Sequence, residues 1–285
     1  MKEFDMLYLI IGILILNSCS PSSEKKVVIE KENKAIEISK DLSPNEMLNK
    51  AYQLFKEGND KASIELANKV LSIGKLTKND TLVGKALTSL CRNSQRSLDT
   101  IRLAELSQEL KKLAEKNGNK QWLMYRAHMN AEMWRLIGDM NKAEKFYNES
   151  LEISFTIGAM GMYTIDHFNK SFMCIEKGNF EAAKLLINKY YRLREDNGFK
   201  KEDPYGLIAL AYLLEQQKNY EGAFEVTTTS RRLFKEQNIF PEPPDEKPLL
   251  KVEDKLSKVL DKTIRDEISK KASSASVTSL IRKYL

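Results

Sequence analysis

The chain has 285 residues, of which 30% are charged and 42% hydrophobic, with twelve Gly and seven Pro. That balance fits a water-exposed helical protein and excludes collagen-like, low-complexity and disulfide-rich classes. The net charge of +6 is modest for this length and Lys and Glu are interspersed, which argues against nucleic-acid binding.

Residues 1–19 read as an address. Lys2 precedes an apolar run from Met6 to Leu16, too short to span a bilayer as a helix. The run ends Leu16-Asn17-Ser18-Cys19, followed by Ser20-Pro21-Ser22-Ser23. This resembles a bacterial lipobox, and the resemblance implies that Cys19 becomes the lipidated N-terminus. An ordinary membrane anchor or signal peptide with an incidental cysteine is the rival reading. Residues 20–42 are polar and rich in Lys and Glu, the composition of a tether.

Ser43-Pro44-Asn45-Glu46 opens the first helix of an array expected over 43–240. Ser43 suits the N-cap, Pro44 the first helical position, and Glu46 completes a capping box. Asp203-Pro204 opens a later helix in the same way. Between them the sequence repeats every forty residues. Gly58, Leu98, Gly138, Gly178 and Lys218 occupy the opening position. Five residues on stand Ser63, Leu103, Ala143, Ala183 and Ala223, mostly small. Gly118, Gly158, Gly198 and Asn238 close the units, and all tolerate a left-handed helix cap. The first unit departs from the pattern, with Gly74 four residues early. In the unit beginning at Gly138, Ala143, Phe146, Tyr147, Ser150, Leu151 and Ile153 share one helical face.

Gly138-Asp139 with Ala143, Gly178-Asn179-Phe180 with Ala183, and Asn219-Tyr220 with Ala223 resemble the helical turn of the tetratricopeptide repeat family. The usual unit there is about 34 residues, so the resemblance is to its long-repeat bacterial type. It covers roughly Pro44 to Asn238. It implies an all-α fold: a right-handed superhelical solenoid of five helical hairpins with a C-terminal capping helix. It also implies that certain first-helix positions face a concave wall. These are Tyr125, His128, Glu132, Arg135, Phe168, Phe172, Ile175, Tyr205, Ile208 and Tyr212, with Lys85, Thr88, Arg92 and Gln95 from the second repeat. Packing on a neighbouring hairpin is the competing reading for Phe168, Phe172 and Ile175. The tyrosines suit binding better, because a ring can pack while its hydroxyl meets water.

After Asn238 the periodicity stops. Pro241, Pro243, Pro244 and Pro248 predict an extended connector over 241–248. Leu249, Val252, Leu256, Val259, Leu260, Ile264 and Ile268 then predict one amphipathic helix to about Lys271, and 249–285 is expected to cap the last hairpin or to dock a partner.

Little in the chain speaks of chemistry. It has two histidines, His128 and His167, and no closely spaced Cys/His set, so no metal site and no cofactor are expected. No glycine-rich phosphate loop or Gly-x-Ser-x-Gly elbow occurs. Cys91 and Cys174 lie two repeats apart, too far for a disulfide in stacked hairpins. The expectation is a non-enzymatic, lipid-anchored scaffold of the bacterial cell envelope, on the periplasmic or surface side and in the outer membrane. Its groove residues Arg92, Tyr125, His128, Arg135, Phe168, Phe172, Tyr205, Ile208 and Tyr212 would hold a protein or peptide partner. A ligand-sensing regulator acting through a separate output module is the alternative.

Overall fold

Every twentieth residue from Gly58 to Asn238 turns the chain back on itself. In a computed structural model, which describes residues 42–198 and 202–285, positions 58, 78, 98, 118, 138, 158, 178, 198, 218 and 238 all have positive φ. At most of them the next residue's N–H reaches the carbonyl five residues back, as Asn59 does to Leu54 and Asp139 to Trp134, both at 2.9 Å. This closes the helix in a Schellman turn. The residue after the turn then starts the next helix. Asn59, Asn79, Asp99, Asn119, Asp139, Asn179 and Asn219 each accept a hydrogen bond from the backbone N–H three residues on. One polar side chain thus satisfies a helix-end donor that would otherwise have no partner.

The result is ten helices in five hairpins: α1 (Pro44–Lys56), α2 (Asp60–Leu76), α3 (Asp80–Arg96), α4 (Thr100–Asn117), α5 (Lys120–Ile137), α6 (Met140–Thr156), α7 (Met160–Glu176), α8 (Phe180–Asp196), α9 (Pro204–Gln216) and α10 (Tyr220–Glu236). They form an all-α helical-repeat solenoid, and Pro44–Leu285 is one structural unit. The proposed address and most of the tether, residues 1–41, lie outside the described residues.

The first unit is regular after all. Its turn is at Lys78, φ 53°, and Gly74 sits inside α2. A Cβ on Gly74 would meet the Val83 side chain and backbone at 3.0 Å, so this glycine serves the close approach of α2 to α3.

First helices pack on first helices: α1 on α3, α3 on α5, and α7 on α9. Polar contacts repeat at the same interval. Lys85 reaches Asn45, Gln95 reaches Glu132 and His128 reaches Asp166, at sequence separations of 40, 37 and 38. α9 is apolar on all sides, with Leu207 to Leu214 buried without interruption. Such a helix needs cover all round.

The C-terminal region supplies part of that cover, in a form that differs from expectation. The prolines do not make an extended connector as far as 248. α11 (Pro243–Val259) begins at Pro243, since proline at a first turn has no N–H to lose and a φ already set for helix. The expected single helix is broken where Leu260, φ −106° and ψ 130°, turns into the core. α12 (Lys262–Ala272) and α13 (Val277–Tyr284) follow. Leu249, Val252 and Leu256 of α11 bury against α9 and α10, and Val277 and Leu280 of α13 join the same core.

Candidate functional site

The inner wall is built on α3, α5, α7 and α9, and the chain's own segment 239–245 crosses it. Tyr205 donates its hydroxyl to the Phe240 carbonyl at 3.0 Å, and Asp245 lies 3.7 Å from Arg135. Wall and segment together bound a cavity of about 640 Å³. That is the size of a small-ligand or peptide-side-chain site. Arg92 and Gln95 line it from α3; Tyr125, His128, Met129 and Glu132 from α5; Met162, Ile165, Phe168 and Asn169 from α7. Tyr190 and Arg194 of α8, Tyr205 of α9, and Ile239, Glu242, Pro244 and Asp245 of the returning segment complete the lining.

A charged network holds the floor. Glu132, 2% exposed, accepts from Arg135 at 2.7 Å, from Gln95 at 3.2 Å and from the Tyr147 hydroxyl. Burial opposes its charge, but Arg135 and His128 outweigh burial and keep the carboxyl below the usual glutamate range. Tyr147 is fully buried, and burial together with Glu132 drives its hydroxyl well above the ordinary tyrosine range. His128 Nδ1 lies 2.7 Å from Asp166, which is wholly enclosed. Burial works against a charged imidazole here, yet the Asp166 carboxylate more than offsets it and raises the histidine. The second Asp166 oxygen has no hydrogen-bond partner.

The covering segment is less well served. Burial pushes the Asp245 carboxyl up to about 7, against the pull of Arg135. Burial likewise raises Glu242, against Arg96 and Arg92. Asp203, expected as an N-cap, makes no side-chain cap bond. It accepts instead from the Tyr190 hydroxyl and pairs with Arg194 at 3.6 Å.

Of the residues expected on the concave wall, Arg92, Gln95, Tyr125, His128, Glu132, Phe168 and Tyr205 line the cavity. Arg135 lies behind it, paired with Glu132, and its guanidinium is 5.5 Å from the Phe172 ring centroid. Phe172, Ile208 and Tyr212 do not reach the cavity. α11 lies along α9 where an open wall was expected, and all three are core residues. Tyr212 donates to Glu176 and receives Lys251 Nζ at 3.0 Å, so its hydroxyl is used inside the fold. Ile175, the other side chain for which packing competed with binding, is also buried.

Sequence reasoning missed Tyr190, Met162, Glu242 and Asp245. The first two belong to no expected wall position, and the last two come from the returning segment. Their signal was the pair of acids set among prolines in Pro241-Glu242-Pro243-Pro244-Asp245.

The remaining titratable groups of interest lie elsewhere. His167 Nδ1 meets the Tyr163 carbonyl at 2.6 Å, and burial lowers its pKa. Cys91 is buried, its thiol pushed up to about 12 by desolvation, and Cys174 is half-buried. Among the described residues, no helix is long and apolar enough to cross a membrane, and no group of three or more His, Cys, Asp or Glu is placed to hold a metal. The arrangement brings charges and aromatic rings to one cavity. Comparison with known proteins found no matching family model and no matching curated protein.

Proposed function

We propose that this chain is a tetratricopeptide-like binding protein, anchored to a bacterial envelope membrane through a lipid on Cys19, whose inner wall holds a peptide segment of an envelope partner. The observation that carries the binding part is the cavity of about 640 Å³, lined by seven expected wall residues and by the chain's own segment 239–245. A wall that already holds a stretch of the chain's own polypeptide against its rings and charges has the chemistry to hold another. The anchoring part rests on the residues Leu16 to Cys19 alone. No reaction is assigned.

A photo-crosslinking amino acid at Ile165, which lines the cavity and is 44% exposed, tests the binding. In native membranes it should capture a discrete partner that the same probe at Leu185 does not, since Leu185 is exposed on α8 away from the cavity. Tyr125→Ala should reduce that capture without changing the melting temperature. Equal capture at both positions would argue against a groove partner. Cys19→Ala should release the protein from membranes, and retention would count against lipidation.

Sensing of a ligand is the second reading. It is favoured by the way segment 239–245 lies over the cavity, where an occupant would change how that segment is held.

A further inference from the structure

The segment covering the cavity brings two carboxylates to it that the protein leaves short of partners. Asp245 Oδ1 is sealed from solvent and has no hydrogen bond. Its cation, Arg135 at 3.7 Å, already donates to Glu132 at 2.7 Å. The Glu242 side chain has no hydrogen bond or ion pair among the described residues. The other cations near this wall have closer partners. His128 is on Asp166, Arg194 is on Asp203, and the two arginines that pull on Glu242 from a distance are Arg96, on Asp60 at 3.3 Å, and Arg92, whose guanidinium lies 4.9 Å from the Tyr52 ring centroid.

The rings of Tyr125, Phe168, Tyr190 and Tyr205 line the same cavity as the two carboxylates. Aromatic faces attract a cation, and do so more strongly where water is excluded. A buried carboxylate without a full set of partners is costly, and an incoming cation is the partner that relieves it. We propose that the cavity receives the ammonium group of a lysine on a partner's peptide segment, held by Glu242 and Asp245 together with the aromatic wall. Because the carboxylates belong to segment 239–245 and the rings to the solenoid, the bound lysine ties the segment to the wall. The proposal rests on the reading that this wall takes a partner segment, and it names the chemistry of that segment.

Calorimetric titration of the full-length protein at pH 8 with acetyl-Ala-Lys-Ala-amide tests it. Saturable binding is expected, at least ten-fold tighter than for the norleucine counterpart. The double variant Glu242→Gln/Asp245→Asn should bind the lysine peptide at least ten-fold more weakly while melting no lower than the parent. Tyr125→Leu, which leaves both carboxylates in place, should weaken binding several-fold. Affinity should also fall between pH 8 and pH 6, as Asp245 takes up a proton among its neighbours Arg135, Glu132, Glu242 and His128. Equal binding of the norleucine peptide, or an unchanged affinity in the double variant, overturns the proposal. Cadaverine binding as tightly as the peptide would overturn the peptide as its source. If crosslinking at Ile165 captures a partner while lysine and norleucine peptides behave alike, the groove reading stands and this one falls. If the lysine peptide binds and no partner is captured, the cavity's preference for an ammonium group stands and its assignment to an envelope partner falls.

Discussion

Glu132 keeps a negative charge where water hardly reaches, and three donors converge on it to make that tolerable. Arg135 depends on it in turn, for its Nε has no hydrogen-bond partner and its other carboxylate, Asp245, is 3.7 Å away. Removing one member of such a pair leaves the other buried and uncompensated. Glu132→Ala should therefore cost about 3 kcal/mol in a chemical denaturation experiment, well above the effect of a surface glutamate. Asp245 gives a pH dependence of definite sign. Its folded-state pKa of about 7 lies above the ordinary aspartate value, so between the two the folded protein holds a proton that the unfolded chain has released. Stability from this group falls as pH rises through that window. His128, raised by Asp166, acts in the same direction: its contribution is full below the ordinary histidine value and is lost as pH rises through its folded value. The melting temperature should thus be higher at pH 6 than at pH 8. Asp245→Asn should flatten the profile and, at pH 8, exceed the parent by about 2 kcal/mol. A parent profile that rises from pH 6 to pH 8 would contradict both assignments.

At the scale of the helix and its turn, the left-handed position sets the repeat. Six of the ten such positions are glycine, and Lys78, Leu98, Lys218 and Asn238 hold the same φ with a Cβ present. An L-residue with a side chain is strained there by about 1–2 kcal/mol. Leu98 is 52% exposed and gives up little packing, so Leu98→Gly should raise stability by about 1 kcal/mol, and Gly138→Ala should lower it by a similar amount. Thermal denaturation of the two variants would show the opposite shifts. These turns also explain what was legible. The forty-residue period could be read from glycines and small residues, and the all-α solenoid followed from it. The twenty-residue half-period was harder to see, because Lys78 carries no turn signal of its own. The cap residue after it, Asn79, matches Asn59, Asp99, Asn119 and Asp139 and would have revealed it. The period also placed Arg92, Tyr125, His128, Phe168 and Tyr205 on one wall. It could not place the segment after Asn238, whose path depends on contacts with residues up to a hundred and more positions earlier. For the same reason Ile208 and Tyr212 were expected at an open wall, while α11 covers α9 there.

Across the whole array, each hairpin finds its partners one repeat away, and the last hairpin finds its partners in α11, α12 and α13. Stability in such a stack is a sum of unit and neighbour terms, so damage at one end is felt most by the units beside it. The core from Phe168 to Leu280 is continuous through α7, α8, α9, α10, α11 and α13, whereas Ala131, Ala143, Tyr147 and Met173 form a separate cluster. Leu256 on α11 is 1% exposed, and truncating it to alanine should cost about 3 kcal/mol. That loss should not spread evenly. Amide exchange in Leu256→Ala should speed up in α9, α10 and α11, where the truncated side chain packs, and leave α1 to α4 close to the parent. Uniform acceleration from α1 onward would mean that the hairpins unfold as one cooperative body, and the neighbour-by-neighbour account of this solenoid would have to be given up.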